Sequence, residues 1–526
     1  MGFFSVYRLF LFCYVLSVAY GQTSESFIKC LSDNSPSATP ITNIVYSPNN
    51  SSFSSILQFS LQNLLFSSST TPKPRFIITP LQESHIQAAV ICSKRQGFLI
   101  LVRSGGHDYE GLSYVSTKPF IIIDLVKFNK VNVNVKSRRA WVQAGATIGE
   151  VYYRIAEKSR TLAFPAGVCT TMGVGGHIGG GGIGLMKRKH SLAADNIVDA
   201  TFIDVNGKIL DRKSMGEDLF WAIRGAQGSS FGVIVSWKIR LVTVPSVVTV
   251  FTVGKTLSQG ATNLFYKWQT TAPKFPREIV LRTIAQLATW ENPRTIQVVF
   301  QALFQGTAKD LLTLMRTNFP ELGIEAKDCT EMSWINSTLT INGMSGQPLS
   351  VLLNRAQSSR NYFKGRSDFV KKAISVSDLE GIWKTMLSED RSPMIIAEPM
   401  GGVMGEIAES AIAFPHRAGN LYNIQYTLQY NDAGASATSL ASSRKLYNYM
   451  TPYVSESPRA SYINYKDLDL GKNTDVSTSY SQARVWGEKY FKGNFARLAC
   501  VKSKVDPGNY FWNEQSIPPF CASSAK

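Results

Sequence analysis

Residues 173–184 contain eight glycines in twelve positions. Glycine loses more conformational freedom on folding than any other residue, so a run this dense is unfavourable unless the backbone must approach something closely. Exposed backbone N–H groups bind anions, and a pyrophosphate is an anion that fits such a run. The flanking sequence lacks the polar composition of a flexible spacer, which favours a binding segment over a linker.

Three of these glycines, Gly179, Gly181 and Gly184, match the pattern G-x-G-x-x-G, and Asp204 follows Gly184 by twenty residues. This spacing is typical of dinucleotide-binding Rossmann units, in which an apolar strand leads into the turn. Residues 170–178 do not form an apolar strand pattern. The sequence therefore argues against a Rossmann unit and keeps the prediction of phosphate binding.

A second glycine turn, residues 103–111, follows a predicted strand at 99–102. A strand followed by Gly-Gly suits close approach of the backbone to a ligand. His107 lies on this turn, which makes it a functional candidate.

Residues 228–232 match the G-x-S-x-G pattern of serine hydrolases, but a strand pattern follows where that site needs a helix, so we exclude this function.

The composition is that of a globular protein. The 526 residues allow roughly two to four domains, and 44% hydrophobic against 17% charged residues excludes global disorder and a collagen-like repeat. The formal net charge is +18, but no run of five basic residues occurs, which argues against a nucleic-acid partner. The charge favours solubility and attraction to acidic surfaces such as a cell wall.

Residues 1–21 predict a signal peptide. Arg8 precedes an apolar stretch, residues 9–19, which is shorter than the ~20 residues that a membrane span needs. The mature chain is expected to start at Gln22, to have no membrane span and to enter the secretory pathway, with the cell exterior or the vacuole as its destination. N-glycosylation motifs begin at Asn49, Asn50 and Asn336.

Six cysteines remain after the signal peptide, and their pairing cannot be deduced from spacing. Cys30 lies near the predicted mature start, where a disulfide would hold the terminus. Cys169 lies in the glycine-dense region, where a structural disulfide would be awkward. The chain has no Cys-x-x-Cys, and its five histidines show no metal-ligand spacing, so we expect no metal.

Short strands alternate with helices, which predicts an α+β fold. Strands are expected at residues 76–78, 99–102, 120–125, 140–144, 296–304 and 421–430, and helices at 83–95, 148–158, 308–318 and 437–450. Asn206-Gly207 predicts a hairpin turn. A predicted strand stops at Pro245, where we place a domain boundary.

Five separated motifs occur in one order along the chain. They are Arg-Ser-Gly-Gly-His ending at His107, Gly-Val-Cys ending at Cys169, Leu-Ala-Ala-Asp-Asn ending at Asn196, Asp-Leu-Phe-Trp-Ala-Ile-Arg-Gly ending at Gly225, and a tail from Asp506-Pro-Gly-Asn-Tyr-Phe to Pro519. Together they resemble the plant berberine bridge enzyme-like family of secreted, FAD-linked oxidases. The resemblance covers nearly the whole mature chain. It implies a two-part PCMH-type FAD-binding domain, residues 22–245 and 466–526, around a substrate domain, 246–465, with an antiparallel sheet covered by helices.

The resemblance also implies how FAD is held. The flavin would be attached twice, through His107 and Cys169, and the backbone of both glycine turns would hold the diphosphate. Cys30 and Cys92 would form the family's N-terminal disulfide. The implied cofactor-binding residues are Arg103, Ser104, Gly105, Gly106, His107, Asp108, Cys169, Gly173, Gly175, Gly176, His177, Gly179 and Gly180.

The family's proton-transfer tyrosine matches Tyr490, in the tail motif Lys-Tyr-Phe. An unassisted tyrosine has a pKa near ~10, so it needs a neighbour to act as a base. Relatives carry a lysine at Asn423, and the berberine bridge enzyme itself a carboxylate at Gln425. Glu398 occupies a position where Asn or Tyr is common, so we expect it to couple to Tyr490; an ion-paired or solvated carboxylate is the alternative.

Tyr109 and Gln425 complete the candidate catalytic set. A tyrosine common in relatives is replaced by Ile183, which makes the pocket less polar. Met172, three residues after Cys169, matches the family's oxygen gate, where a bulky side chain restricts dioxygen.

The implied reaction is hydride transfer from a small molecule to flavin N5, with dioxygen reoxidising the flavin to hydrogen peroxide. An aromatic, alkaloid or prenylated plant metabolite is the expected donor, and a monomer the expected state. Oxidation of a carbohydrate or monolignol, a non-redox cyclase and a wall-binding protein without turnover remain alternatives.

Overall fold

The computed structural model describes residues 24–35, 39–356 and 360–521. The predicted signal peptide and its cleavage point lie outside the described residues. Within the described ranges, no helix is both long enough and apolar enough to cross a membrane.

Fourteen α-helices are present in these ranges. They are α1 (24–33), α2 (Phe53–Phe59), α3 (Glu83–Gln96), α4 (Ile148–Ala156), α5 (Val174–Gly179), α6 (Lys187–His190), α7 (Arg212–Ala222), α8 (Ala261–Thr271), α9 (Ala308–Asn318), α10 (Trp334–Ile341), α11 (Val376–Leu387), α12 (Ser436–Tyr449), α13 (Tyr480–Phe491) and α14 (Asn494–Val505).

The strands form four sheets. They are β1 (Val45–Tyr46), β2 (Phe76–Ile78), β3 (Leu99–Arg103), β4 (Phe120–Asp124), β5 (Val131–Asn134), β6 (Arg139–Gln143), β7 (Leu162–Ala163), β8 (Ile197–Ile203), β9 (Ile209–Leu210), β10 (Val233–Arg240), β11 (Val242–Thr243), β12 (Val248–Thr256), β13 (Ile279–Ala288), β14 (Thr295–Phe304), β15 (Cys329–Met332), β16 (Tyr362–Val370), β17 (Met394–Pro399) and β18 (Tyr422–Tyr430). The sheet orders are β1-β2-β4-β3, β5-β6-β10-β8-β9, β11-β7 and β15-β12-β14-β13-β17-β18-β16.

The first sheet presents the turn that follows β3. Strands β2, β4 and β3 run parallel, and β2 and β4 are buried along their whole length, as expected of apolar strands with both faces covered. Arg103 ends β3, and its guanidinium lies 2.6 Å from Asp124 at the end of β4. It also donates to the carbonyls of Ile56 and Leu57. This buried pair fixes the start of the glycine turn.

The second sheet is antiparallel and carries the glycine-dense segment beside it. The predicted hairpin is confirmed, because β8 pairs with β9 and Gly207 has a φ of 77°. The first six residues after Gly173 form helix α5 instead of a loop. Gly228–Ser230 is a 3-10 turn that leads into strand β10, so the helix required by a serine hydrolase is absent there.

The seven-stranded sheet is antiparallel throughout and lies between residues 248 and 430. Helices α8, α11 and α12 pack on one face, where Trp268 donates to the carbonyl of Leu281 over 2.7 Å. Because side chains alternate along a strand, Tyr422 and Tyr426 of β18 point to the helices, and Gln425 points the other way. The expected α+β fold, with an antiparallel sheet covered by helices, is confirmed.

Disulfides join two pairs of cysteines. Cys30 and Cys92 are bonded, as the resemblance implied, and Cys500 is bonded to Cys521, a pair that the sequence did not assign. Among the described residues, Cys169 and Cys329 are free.

Helix α6 connects the glycine-dense segment to the seven-stranded sheet. Arg188 is buried, and its guanidinium donates five hydrogen bonds of 2.6–3.1 Å to backbone carbonyl oxygens. The acceptors are Pro273, Phe275, Pro276, Ile279 and Met400. One side chain therefore satisfies five carbonyls where α6 meets the strands β13 and β17.

We predict that Arg188→Met lowers the free energy of unfolding by at least about 3 kcal/mol, because each buried acceptor left without a partner costs about 1–3 kcal/mol. The matched control is Arg277→Met, which removes an exposed ion pair with Glu406 and should cost about 0–1 kcal/mol. Urea unfolding of both variants measures the difference. Equal losses would show that the buried guanidinium does not hold this junction.

Candidate active site

A cavity of about 980 Å³ lies between the two glycine turns and the free face of the seven-stranded sheet. Residues 104–109 line one side of it, and residues 167–173 a second side. Strands β17 and β18 supply the opposite wall through alternate side chains, including Glu398 and Gln425. The glycine motifs and three of the four candidate catalytic positions, Tyr109, Glu398 and Gln425, thus meet in one place.

The two glycine turns touch each other through their backbones. A Cβ atom at Gly105 would lie 2.4 Å from the backbone N of Gly173, and one at Gly173 would lie 2.1 Å from Oγ of Ser104. Neither position has room for a side chain. Ser104 in turn donates to the carbonyl of Ala144 over 2.5 Å. The glycines are therefore required for the two turns to pack against each other.

This contact places His107 and Cys169 on either side of one hydroxyl group. Oγ1 of Thr171 lies 3.0 Å from Nε2 of His107 and 3.6 Å from Sγ of Cys169. Both side chains line the cavity, and the thiol is free of any disulfide. Burial lowers the pKa of His107 to about 4, because the imidazolium is disfavoured away from water. His107 is therefore a neutral imidazole, which is a nucleophile.

His177 holds the loop that carries Cys169. Its Nε2 accepts a 2.9 Å hydrogen bond from the backbone N–H of Gly167. A Cβ atom at Gly167 would lie 2.7 Å from Cε1 of the imidazole, so glycine is needed for this contact. Burial lowers the pKa of His177 to about 4, which keeps Nε2 unprotonated and able to accept.

The remaining cofactor positions from the sequence divide into two groups. Seven line the cavity: Ser104, Gly105, Gly106, Asp108, Gly173, Gly175 and Gly176. Arg103, Gly179 and Gly180 are not among the lining residues. Arg103 holds the start of the glycine turn through its ion pair with Asp124. A Cβ atom at Gly180 would lie 1.9 Å from the amide oxygen of Asn464, so Gly180 is required for packing.

The cavity wall has features that a bound dinucleotide would complete. A Cβ atom at Gly176 would meet nothing within 4 Å, although the residue lines the cavity, so the backbone is open to a ligand there. Oε1 of Gln62 and Oγ of Ser113 are buried and have no hydrogen-bond partner among the described residues, and both residues line the cavity. Such atoms are expected to gain partners from a bound molecule.

Two tyrosines stack in the cavity. The rings of Tyr109 and Tyr465 are 5.8 Å apart and inclined by 12°, and the hydroxyl of Tyr109 accepts a 2.5 Å hydrogen bond from Gln425. Burial raises the pKa of both phenols above the ordinary value. The sequence prediction missed Tyr465, whose only signal was an aromatic residue beside the charged pair Lys466-Asp467.

The expected catalytic role of Tyr490 does not match its location. Tyr490 is buried outside the cavity lining, and its hydroxyl accepts a 3.0 Å hydrogen bond from the backbone N–H of Asp467. Burial raises its pKa well above the ordinary value. Its hydroxyl supports the segment that carries Tyr465, and of these two tyrosines only Tyr465 lines the cavity.

Glu398 is ion-paired and does not contact Tyr490. Its Oε2 lies 2.9 Å from Nζ of Lys187, which is fully buried, and its Oε1 lies 3.6 Å from Nη1 of Arg282. Burial by itself would raise the pKa of Glu398, but Lys187 and Arg282 together hold it below the ordinary value. The expected coupling to Tyr490 is thus replaced by an ionised carboxylate at the cavity wall. Neither Lys187 nor Arg282 was predicted from the sequence.

The other singled-out positions are placed as follows. Met172 and Ile183 line the cavity. Asn49, Asn50 and Asn336 are exposed. Asn423 is buried, and neither atom of its amide has a partner among the described residues.

Two family models match the chain. One, described as an FAD binding domain, matches residues 74–212, and the other, described as berberine and berberine like, matches residues 461–518. Tetrahydroberberine oxidase of Berberis wilsoniae is 51% identical over 94% of this chain and 94% of that protein. Monolignol oxidoreductase AtBBE-like 13 of Arabidopsis thaliana is 48% identical over 98% of this chain and 97% of that protein.

Solved structures agree with the sequence relatives. The berberine bridge enzyme from Eschscholzia californica aligns with a TM-score of 0.88 at 38% identity and covers 95% of this chain and 100% of its own. Wild-type Phl p 4.0202, described as a glucose dehydrogenase, aligns with a TM-score of 0.90 at 45% identity, covering 94% of this chain and 99% of its own. With the cavity and these relatives in agreement, the chain belongs to the berberine bridge enzyme-like family of FAD-linked oxidoreductases.

Proposed function

We propose that this chain is a secreted oxidase that holds FAD through covalent bonds to both His107 and Cys169 and oxidises an aromatic or alkaloid plant metabolite. The observation that carries the proposal is the pair of nucleophiles flanking Thr171, with Nε2 at 3.0 Å and Sγ at 3.6 Å from the same hydroxyl. The imidazole of His107 and the thiol of Cys169 lie close enough together to form bonds to one planar ring.

Different residues of the cavity would bind different parts of the cofactor. His107 and Cys169 would hold the flavin ring, and the backbone at Gly105, Gly173 and Gly176 would hold the diphosphate. When bound, FAD supplies the acceptor for two electrons from the donor, and dioxygen is the proposed final acceptor. Met172 lies beside Cys169 in the lining, at the proposed gate for dioxygen.

The stacked tyrosines are suited to bind and orient an aromatic donor. Their faces offer offset or edge contacts to another ring, and the hydrogen bond from Gln425 fixes the hydroxyl of Tyr109. Because burial raises the pKa of Tyr109 and Tyr465, both phenols stay protonated at neutral pH. They donate hydrogen bonds and do not act as bases there.

An alkaloid or other aromatic donor is favoured by the relative named tetrahydroberberine oxidase at 51% identity and by the aromatic wall. A carbohydrate donor is the second candidate, because the solved relative described as a glucose dehydrogenase is 45% identical. Anaerobic bleaching of the purified yellow protein by tetrahydroberberine, coniferyl alcohol or glucose decides between them. A yellow protein that none of a broad set of aromatic, alkaloid and sugar donors bleaches would contradict the proposed oxidation.

Secretion is supported by three observations. Two disulfides are present, as in proteins of oxidising compartments. The three predicted glycosylation sites are exposed. The sequence of residues 1–21 has the pattern of a signal peptide.

Double attachment predicts a specific pattern of pigment release. After acid denaturation, the wild type, His107→Ala and Cys169→Ala should all keep the yellow pigment in the protein pellet, because one bond remains in each single variant. The double variant should release it into the supernatant. Cys329→Ala, which removes the other free cysteine, serves as the control. Release from either single variant would show that only the mutated residue forms a bond.

The tyrosine assignment predicts opposite behaviour for two conservative variants. Tyr465→Phe keeps the ring stack but loses the cavity hydroxyl, so anaerobic bleaching should slow by about 10-fold or more. Tyr490→Phe should bleach within about 3-fold of wild type, and its melting temperature should fall, because the N–H of Asp467 loses its acceptor. Slow bleaching of Tyr490→Phe at an unchanged melting temperature would show that Tyr490, and not only Tyr465, acts in the reaction.

The neutral state of His177 predicts a pH dependence of stability. Its pKa is about 4 in the folded chain and ~6.5 when unfolded. As pH falls from 6.5 to 4, the unfolded chain binds the proton first, so stability falls by up to about 1.4 kcal/mol per pH unit. His177→Gln cannot titrate and should show a shallower loss. Urea midpoints between pH 7 and pH 4 test this, and parallel curves for the two proteins would refute it.

A further inference from the structure

Arg282 has one unused edge that faces the cavity. It lies on strand β13 and lines the cavity wall. Its Nε and Nη2 both donate to Oε1 of Gln301, over 2.9 and 2.6 Å, and Gln301 donates onward to Thr252. These contacts fix the plane of the guanidinium and leave Nη1 without a hydrogen bond to any described residue.

Glu398 has one unused oxygen beside that edge. Its Oε2 accepts the hydrogen bond from Lys187, whereas Oε1 lies 3.6 Å from Nη1 of Arg282. This separation exceeds the distance of a hydrogen bond between a nitrogen and an oxygen. Both side chains are about nine-tenths buried, and both line the cavity, so a molecule bound there is positioned to contact them. The wall therefore presents one charged donor and one charged acceptor side by side.

We propose that Arg282 and Glu398 bind a hydroxyl group of the substrate. This inference rests on the proposed function, because it takes the cavity as the substrate site. A hydroxyl accepts from Nη1 and donates to Oε1 at the same time, so it satisfies both groups. An ether can only accept, a carboxylate meets the negative charge of Glu398, and an ammonium meets the positive charges of Arg282 and Lys187. At this point of the cavity wall, the structure thus favours the hydroxyl of an alcohol or phenol over an ether, a carboxylate or an ammonium group.

The test compares ligands that differ only in one hydroxyl. The probes are 4-hydroxycinnamyl alcohol and its two mono-methyl ethers, one blocked at the phenol and one at the alcohol. Binding is measured by calorimetry on the purified holoprotein, without oxygen and with the flavin reduced by dithionite, so that no probe is oxidised. One ether should bind at least about 10-fold more weakly than the parent, because it leaves a buried charged group without its partner. Which ether is weaker identifies the bound hydroxyl.

Variants connect this discrimination to the pair. Arg282→Met should weaken all three ligands, because a hydroxyl and an ether both accept from Nη1. The double variant Lys187→Met/Glu398→Gln should bring the three ligands within about 2-fold of each other, because it removes the charged acceptor that only a hydroxyl satisfies and leaves no buried lysine unpaired. Arg277→Met, at the exposed pair, should keep the wild-type discrimination.

Two results would overturn the inference. They are equal affinities of the parent and both ethers for wild type, and discrimination that persists unchanged in Lys187→Met/Glu398→Gln. A colourless protein would contradict the proposed function instead, and calorimetry on it would still measure the hydroxyl preference.

Discussion

The contact between Gly105 and Gly173 is the constraint on which the site depends. A Cβ atom on either residue would collide with the opposite turn, at 2.4 Å or less. Only glycine lets the turn after β3 and the start of the glycine-dense segment pack backbone to backbone. His107 and Cys169, which are 62 positions apart in the sequence, reach the same hydroxyl as a result. The unfavourable entropy of these glycines is offset by a geometry that no other residue permits.

A buried network of charged side chains connects the glycine turn of His107 to the segment that carries Tyr465. Lys364 on β16 pairs with Glu110, which lies in the glycine turn that carries His107, and with Asp467 over 2.8 Å. Asp467 follows Tyr465 by two residues, so the position of the cavity tyrosine is tied to the turn that carries His107. Removing one member of such a buried pair leaves an uncompensated charge, which is strongly unfavourable. The network therefore makes the stack of Tyr109 and Tyr465 a rigid part of the site.

The sequence predicted those features that depend on local pattern. Dense glycine beside His107 and Cys169 pointed to both residues, and the alternation of strands and helices gave the fold class. It pointed to Tyr490 and not to Tyr465, because both lie in aromatic, charged segments and only the tertiary fold decides which of them faces the cavity. Lys187 lies in the basic run 187–190, which resembles a solvated surface, so nothing local indicated its burial against Glu398.

The role of Arg282 also could not be predicted from the local sequence. Its strand has the apolar alternation of a sheet, and an arginine within it signals only one polar face. The function of that face follows from long-range contacts, namely Gln301 on the next strand and Glu398 on β17. Local sequence thus determines which residues are unusual, whereas their grouping requires the register of the seven-stranded sheet.

The central claim is that one flavin joins two distant segments of the chain. Proteolysis of the purified protein followed by mass spectrometry tests it most directly. The account predicts a single species in which the peptide of His107 and the peptide of Cys169 are linked through one FAD. Recovery of either peptide without flavin would contradict this claim.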